Sequence, residues 1–426
     1  MRRQNVVALT VVLIIVIQIF IRPLMFFTGV DTPYPYSEFM RPDWGLIAVG
    51  LLMGAGWIIV FSLSHRFSYV SSAFEGLLPV VPNGFDLRIL FFCILFTTVL
   101  GAVLTGLLVL QAGSINGFMY SVKVGKDFSG SYVIREISVI AAIFSLLGLI
   151  AFAKNQQAHG FRVLRSSLFW AFALFLVFNC GVNYFWGNRY NIALLMISSL
   201  FAWHFHIRRL NFFNLALMAF VALLLLQTLK MVRLGALAET LGREIVSTQS
   251  FWLNVSTSFH LNQFDAFILA FRDVGERFDY RYGKDFLNGL LSWIPRSLYP
   301  EKESFHIGGW FRRIYQPAVV NGWPITTIGS WYVNFGILGV LFGAAFSGFV
   351  ASTFDKAYSN VSESTWQAVM CPVLGLFMFD GGVGTGFVQP IFLVFLPVCL
   401  LSILLRLFKS NPATLMAKQF GAIEGH

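Results

Sequence analysis

Charge is scarce in this chain: of 426 residues 12% are Asp, Glu, Lys or Arg, against 57% hydrophobic, and the mean hydropathy is +0.72. That balance excludes a string of soluble domains, which carry roughly a quarter of their residues as charges. Cysteine is scarce too. All four, Cys93, Cys180, Cys371 and Cys399, fall inside apolar runs with no C-x-x-C spacing and no histidine at metal spacing. Neither a disulfide framework nor a zinc site is implied. Strand-like alternation is missing, which excludes a β-barrel. A Gly-rich phosphate loop, H-E-x-x-H, a nucleophile elbow and a D-x-D carboxylate pair are missing as well, so nucleotide-dependent and metal-dependent chemistry is disfavoured. The net charge of +10 is scattered between apolar runs instead of forming one basic patch, unlike a nucleic-acid-binding face.

What the chain has is long hydrophobic runs. They fall near Val6 to Phe27, Leu46 to Leu63, Ile89 to Gln111, Ile134 to Ala153, Leu168 to Val182, Ile192 to Phe205, Phe212 to Leu229, Ile328 to Val350, Trp366 to Phe379 and Phe387 to Leu407. Most are long enough to cross about 30 Å of hydrocarbon as a helix. The expected fold is an all-α polytopic membrane protein of about ten transmembrane helices. About seven spans occupy 1–230 and about three 327–410, with a large external loop at 231–326 and a cytoplasmic tail at 411–426. The first run follows Met1-Arg2-Arg3-Gln4 and has no small-residue cleavage site after it, so it reads as a retained helix with its N-terminus inside. Alternating sides then places 65–88, 154–165, 207–209, 355–363 and the end of the chain from Arg406 to Lys418 in the cytoplasm. With Arg2 and Arg3 these segments hold 13 of the 30 Lys and Arg residues, as the positive-inside rule requires.

The segment Met231 to Thr326 breaks the rhythm of short loops. It holds 10 of the 30 basic and 9 of the 20 acidic residues, and it is too long and too aromatic to be a mere connection. Apolar residues at 259, 264, 267, 268 and 271, with Asp265, Arg272 and Asp273 offset from them, read as an amphipathic helix lying on the membrane.

Arginine is the residue to follow on the outer side, because its planar fork pairs bidentately with phosphate and keeps its charge in a low dielectric. Arg189 sits in Trp186-Gly187-Asn188-Arg189-Tyr190-Asn191, a turn leading into an apolar helix, where it faces either a cavity or lipid headgroups. Arg296 is held between Pro295 and Tyr299-Pro300; a turn arginine paired with Glu301 or Glu303 is the plainer reading. Lys302, Arg312 and Arg313 are further cations near the Gly308-Gly309 break, with a solvated face as their alternative. His306 and His260 have the chemistry of a general base, and Asp265 and Asp279 could receive a hydroxyl proton or bind sugar. For Asp265, pairing with an arginine is the competing role. Trp293, Tyr299, Trp310, Tyr315 and Trp323 could stack on sugar faces or serve packing. Gly336, Gly339, Gly343 and Gly348 read as close helix packing.

Three stretches carry a family resemblance. Gly187-Asn188-Arg189, Ile294-Pro295-Arg296 with Pro300-Glu301-Lys302, and Ile328-Gly329-Ser330-Trp331-Tyr332-Val333-Asn334-Phe335-Gly336 resemble the G-S-R-G, I-P-R with P-x-K, and I-G-E-x-Y-x-N-F-G elements of the bacterial Wzy-type O-antigen and exopolysaccharide repeat-unit polymerases. Tyr190 stands where that family often has Gly, and Ser330 where it often has Glu. The resemblance implies an enzyme of the bacterial inner membrane, with its site facing the periplasm, that joins oligosaccharide units carried on undecaprenyl pyrophosphate. It implies no metal or other cofactor, and it makes the bilayer and a chain-length regulator its partners. Arg189 and Arg296 would stabilise the departing pyrophosphate, with His306 and Asp265 as further catalytic candidates. Lys302, Arg312, Arg313, Tyr299, Trp331 and Asn334 would bind substrate. A ligase moving finished glycan onto a lipid core would share these residues. A lipid-linked oligosaccharide flippase would instead show repeat symmetry and charges lining the central spans.

Overall fold

A computed structural model describes residues 5–27, 43–67, 87–122, 131–157, 166–187, 263–291, 307–317, 322–359 and 396–408, with isolated residues at 294, 298–299 and between 192 and 231. The described residues form helices in the order α1 (Val6–Phe27), α2 (Trp44–Phe67), α3 (Leu87–Gln111), α4 (Ile115–Tyr120), α5 (Tyr132–Gln157), α6 (Ser167–Phe185), α7 (Gln263–Asp273), α8 (Lys284–Leu290), α9 (Ile307–Tyr315), α10 (Thr327–Ser359) and α11 (Leu396–Leu407). Among them the only β pairing is an isolated bridge between Val274 and Phe278. Six helices, α1, α2, α3, α5, α6 and α10, are long and apolar enough to cross a membrane. Helix is what such sequences must adopt in hydrocarbon, because it satisfies every backbone N–H and C=O within the segment. The protein is a membrane-embedded helical protein. These six match the expected runs; α11 is a shorter apolar helix within the tenth. The ninth run lies outside the described residues, and only isolated residues of the sixth and seventh are described.

One group of helices comprises α1, α2 and α7 to α10. Small residues set how closely they approach. A Cβ on Gly50 would meet Ile268 and Phe264 of α7 at 2.5–3.0 Å, and one on Gly54 would meet Ile19 of α1 at 2.5 Å. At the other end of α2, a Cβ on Gly348 would run into the Phe61 carbonyl at 2.4 Å, while the Ser64 hydroxyl donates to the Ala345 carbonyl at 2.6 Å. There the buried Asp355 carboxylate of α10 accepts from the Val7 and Ala8 backbone N–H groups at 2.8 and 3.1 Å. It thereby satisfies donors that the first turn of α1 cannot pair internally. His65 Nε2 lies 3.1 Å from the same carboxylate.

The stripe expected to lie on the membrane behaves differently. Residues 263–270 of α7 are all buried, packed against α1, α2 and α10. Its polar side finds partners in protein instead of water: Arg22 of α1 donates through Nε to both Asp265 oxygens, at 3.0 and 3.3 Å. An amphipathic pattern marks a helix with two kinds of neighbour, and here the polar neighbour is a buried guanidinium.

The chain breaks inside α10. Gly336 has φ 65° and ψ −156°, a conformation that is essentially Gly-only, and the helix runs in two arms on either side of it. Residues 337–359 are at 1.5 Å per residue about 34 Å long, enough to span; 327–335 are about 13 Å and are not. The break folds Trp331 onto Gly343, where a Cβ would stand 2.4 Å from the indole. Gly339, Gly343 and Gly348 thus serve close packing as expected, and Gly336 serves the bend.

A second group comprises α3 to α6 and α11. A Cβ on Gly101 would meet the Ser138 hydroxyl of α5, and one on Gly148 the Phe172 ring of α6. Buried polar groups pair across helices: Asn179 Nδ2 donates to Thr98 Oγ1 at 2.9 Å and Trp186 Nε1 to Thr105 Oγ1 at 3.1 Å. Such pairs fix the rotation of α6 against α3.

Candidate functional site

Breaking a helix orphans carbonyls at the end of the first arm. In α10 the Val333 and Asn334 carbonyls accept from the backbone N–H groups of Arg281 and Tyr282, each at 3.0 Å. Side chains complete the joint. Asn334 donates Nδ2 to Asp285 at 2.8 Å and to the Ser330 carbonyl at 2.9 Å, and its Oδ1 accepts from Gly283 N–H at 3.2 Å. Arg281 in turn pairs with Asp285 through Nη2 at 2.9 Å and through Nε at 3.0 and 3.1 Å. Positive φ at Tyr282 (48°) and Gly283 (81°) turns the chain tightly enough for residues 281–285 to grip the arm at both levels. The consequence is positional: the charged segment 272–285 is fixed to the arm that carries the Ile328–Gly336 stretch.

From there the segment meets an aromatic cluster on α9. Phe278 packs edge-on to Trp310 and Phe311, at 5.3 and 5.9 Å between ring centroids. Tyr315 packs on Phe311 and Trp323 at 5.2 and 5.6 Å. Three guanidinium groups lie over rings of this cluster: Arg277 over Tyr315 at 4.4 Å, Arg281 over Trp310 at 4.2 Å and Arg312 over Trp323 at 5.3 Å. Each stack contributes about 0.5–2 kcal/mol and fixes the plane of the guanidinium. The Tyr315 hydroxyl donates to Asp273 Oδ2 at 2.7 Å, and Arg272 donates to the same carboxylate. Burial pushes the Asp273 carboxyl up, but the bonds from Arg272 and Tyr315 outweigh it and hold the group below the usual carboxylate range. Burial and the bond to Asp273 push the Tyr315 hydroxyl up, so it remains a donor at neutral pH. The cluster sets arginines against flat rings that are mostly buried, and Arg277, Arg313 and the half-buried Trp310 form its accessible edge. Cations suit phosphate oxygens, and rings suit the C–H faces of sugars.

The sequence candidates divide. Asp265 is buried against Arg22, and burial pushes its carboxyl up to about 6, opposed by the Arg22 charge and hydrogen bond. It pairs with an arginine as its competing role required, and a carboxylate so enclosed braces helices instead of meeting substrate. Trp331 and Asn334 are likewise enclosed and engaged within the protein. Trp331 is 1% exposed among Phe286, Phe335, Phe342 and Phe346, and Asn334 spends its amide on the joint just described. Arg312 and Arg313 share α9 but not an environment. Arg312 is buried and donates to Gln316, whereas Arg313 is exposed and donates to the Gly309 carbonyl. Tyr299 is exposed. Arg189, Arg296, Lys302, His306 and His260 lie outside the described residues. Sequence reasoning missed Arg277, Arg281, Asp285 and the Arg22 pair. Signals existed: Arg281 and Asp285 stand four apart across Tyr282-Gly283, and Arg22 interrupts an apolar run. Compared with models of known families, with curated proteins and with solved structures, the chain matches none.

Proposed function

We propose that the protein is a membrane glycosyltransferase that polymerises undecaprenyl-pyrophosphate-linked oligosaccharide repeat units. The observation that carries this reading is the arginine-and-aromatic face of residues 272–285 and α9, anchored to the arm of α10 whose Ile328–Gly336 stretch resembles the polymerase signature. In this reading the chain has about ten spans, both termini lie in the cytoplasm, and the face opens to the periplasm of a bacterial inner membrane.

The chemistry is a direct displacement. The bond between sugar C1 and the carrier's pyrophosphate oxygen breaks as a terminal hydroxyl of the incoming unit forms a new C1–O bond. His306, immediately before α9, receives the hydroxyl proton. Negative charge builds on the leaving pyrophosphate, and fixed guanidinium groups bind it more tightly in the transition state than in the ground state. The resemblance gives that role to Arg189 and Arg296, and Lys302 and the exposed Arg313 add positive charge. Tyr299, which is exposed, and Trp310, which is half-buried, offer ring surface to sugars. The permanent positive charge of arginine supplies the electrostatic stabilisation for which other enzymes use a divalent ion.

The test offers purified protein in proteoliposomes a lipid-pyrophosphate repeat unit together with a lipid A core acceptor, and weighs the products by mass spectrometry. Elongated glycan on the pyrophosphate carrier supports polymerisation. Transfer onto the core would make the protein a ligase, and relocation without a new bond a transporter.

A further inference from the structure

The cations of the α9 face differ in what remains for a ligand. Arg272 donates to Asp273, Arg281 to Asp285, Arg312 to Gln316 and Arg313 to the Gly309 carbonyl. Arg277 is exposed and rests its guanidinium on Tyr315, and among the described residues no carboxylate or carbonyl accepts from its side chain. Among the described residues Glu276 forms no ion pair with it, and the Asp273 carboxylate, which lies within reach of its charge, takes its hydrogen bonds from Arg272 and Tyr315.

Yet Arg277 is not a loose surface arginine. Its turn is closed by its own N–H to the Asp273 carbonyl at 2.9 Å and by Gly275 N–H to the Phe278 carbonyl at 2.8 Å. Phe278 anchors the turn's far side in the aromatic cluster. The ring beneath is fixed in turn, since the Tyr315 hydroxyl is bonded to Asp273 and Asp273 is held by Arg272. Stacking occupies one face of a guanidinium and leaves the N–H donors of its edge available, here on an exposed residue. That edge matches two oxygens of a phosphate, and pre-ordering means little side-chain freedom is lost on binding.

We infer that Arg277, held flat on Tyr315, is a phosphate-ester binding residue, its ligand the pyrophosphate of the lipid carrier. The carrier's identity rests on the function proposed above; the binding geometry does not. A bilayer headgroup phosphate shares this chemistry, so the test separates the two sources. Full-length protein in nanodiscs is titrated with farnesyl pyrophosphate, and in detergent with phosphatidylglycerol, for wild type, Arg277→Gln and Arg277→Lys. Arg277→Gln should weaken farnesyl pyrophosphate roughly tenfold to a hundredfold, the loss of one or two charge-assisted bonds. It should leave phosphatidylglycerol affinity and the melting temperature unchanged. Arg277→Lys, which keeps the charge but not the planar edge, should fall between, and it carries the test if Arg277→Gln does not fold. Unchanged affinity for farnesyl pyrophosphate overturns the assignment, and a loss confined to phosphatidylglycerol overturns the carrier as its ligand. The polymerase reading fails separately: wild-type protein that binds farnesyl pyrophosphate through Arg277 yet extends no glycan would refute that reading and leave this site standing.

Discussion

Removing the Asp285 carboxylate should do more damage than any single contact at the joint suggests. Asp285 and Arg281 are both buried, and the carboxylate also receives the Asn334 amide, so Asp285→Ala takes a charged partner from one guanidinium and an acceptor from one N–H donor at once. Breaking a buried pair from one side costs about 3–5 kcal/mol, against a total stability of about 5–15 kcal/mol. Denaturant titration of the purified protein in micelles, followed by tryptophan fluorescence, should show a loss of that size. Asp285→Asn keeps an acceptor for Arg281 and should lose less, about 1–3 kcal/mol. Pairing Asp285→Leu with Arg281→Met removes both charges together, so the double variant should be far more stable than the sum of the single losses. A loss under about 1 kcal/mol for Asp285→Ala, or single losses that simply add, would refute the idea that this pair clasps the charged segment to the broken helix.

Three further expectations follow from other parts of the molecule. The Asp265 carboxyl, pushed up to about 6 by burial, keeps its proton in the folded protein where the unfolded chain has already lost it; its stabilising contribution is full below about pH 4 and lost as pH rises through about 6, at most about 3 kcal/mol. Asp265→Asn should remove that decline, and a variant as pH-sensitive as wild type between pH 4 and 6 would contradict it. Arg189→Lys and Arg296→Lys should each lower turnover about a hundredfold with expression intact, since about 3 kcal/mol of transition-state stabilisation goes with the bidentate fork; the double variant should be little worse than the worse single one, and losses that multiply would separate the two residues. Impermeant thiol labelling of a cysteine-free background should modify Lys284→Cys and spare Gln157→Cys; the opposite pattern would invert the membrane orientation.

What the sequence disclosed and what it hid have a common physical cause. Apolar length is a local property, so runs such as Ile89 to Gln111 announce their helices directly, and α3 spans Leu87–Gln111. The fate of a polar residue is not local. The stripe around Phe264 and Phe267 looked interfacial because Asp265 seemed to need water, and its real partner is Arg22, 243 residues away. The bend at Gly336 was hidden likewise, because the glycines of α10 look alike in sequence. Only the distant N–H groups of Arg281 and Tyr282 distinguish Gly336, by satisfying the carbonyls that the bend exposes. Asn334 and Trp331 stood out as chemistry-bearing types, yet the protein uses their bonds and surfaces itself. Conversely Arg277 is in sequence one charge among ten basic residues of a long segment, and only the fold puts Tyr315 beneath it.

The most direct test of the central claim is the stoichiometry of bond formation and carrier release. Purified protein in EDTA, supplied only with a synthetic undecaprenyl-pyrophosphate repeat unit, should build a ladder of products and free one undecaprenyl pyrophosphate for every glycosidic bond made. Release without chain extension, or extension restored only by adding a divalent metal, would contradict an arginine-assisted polymerisation.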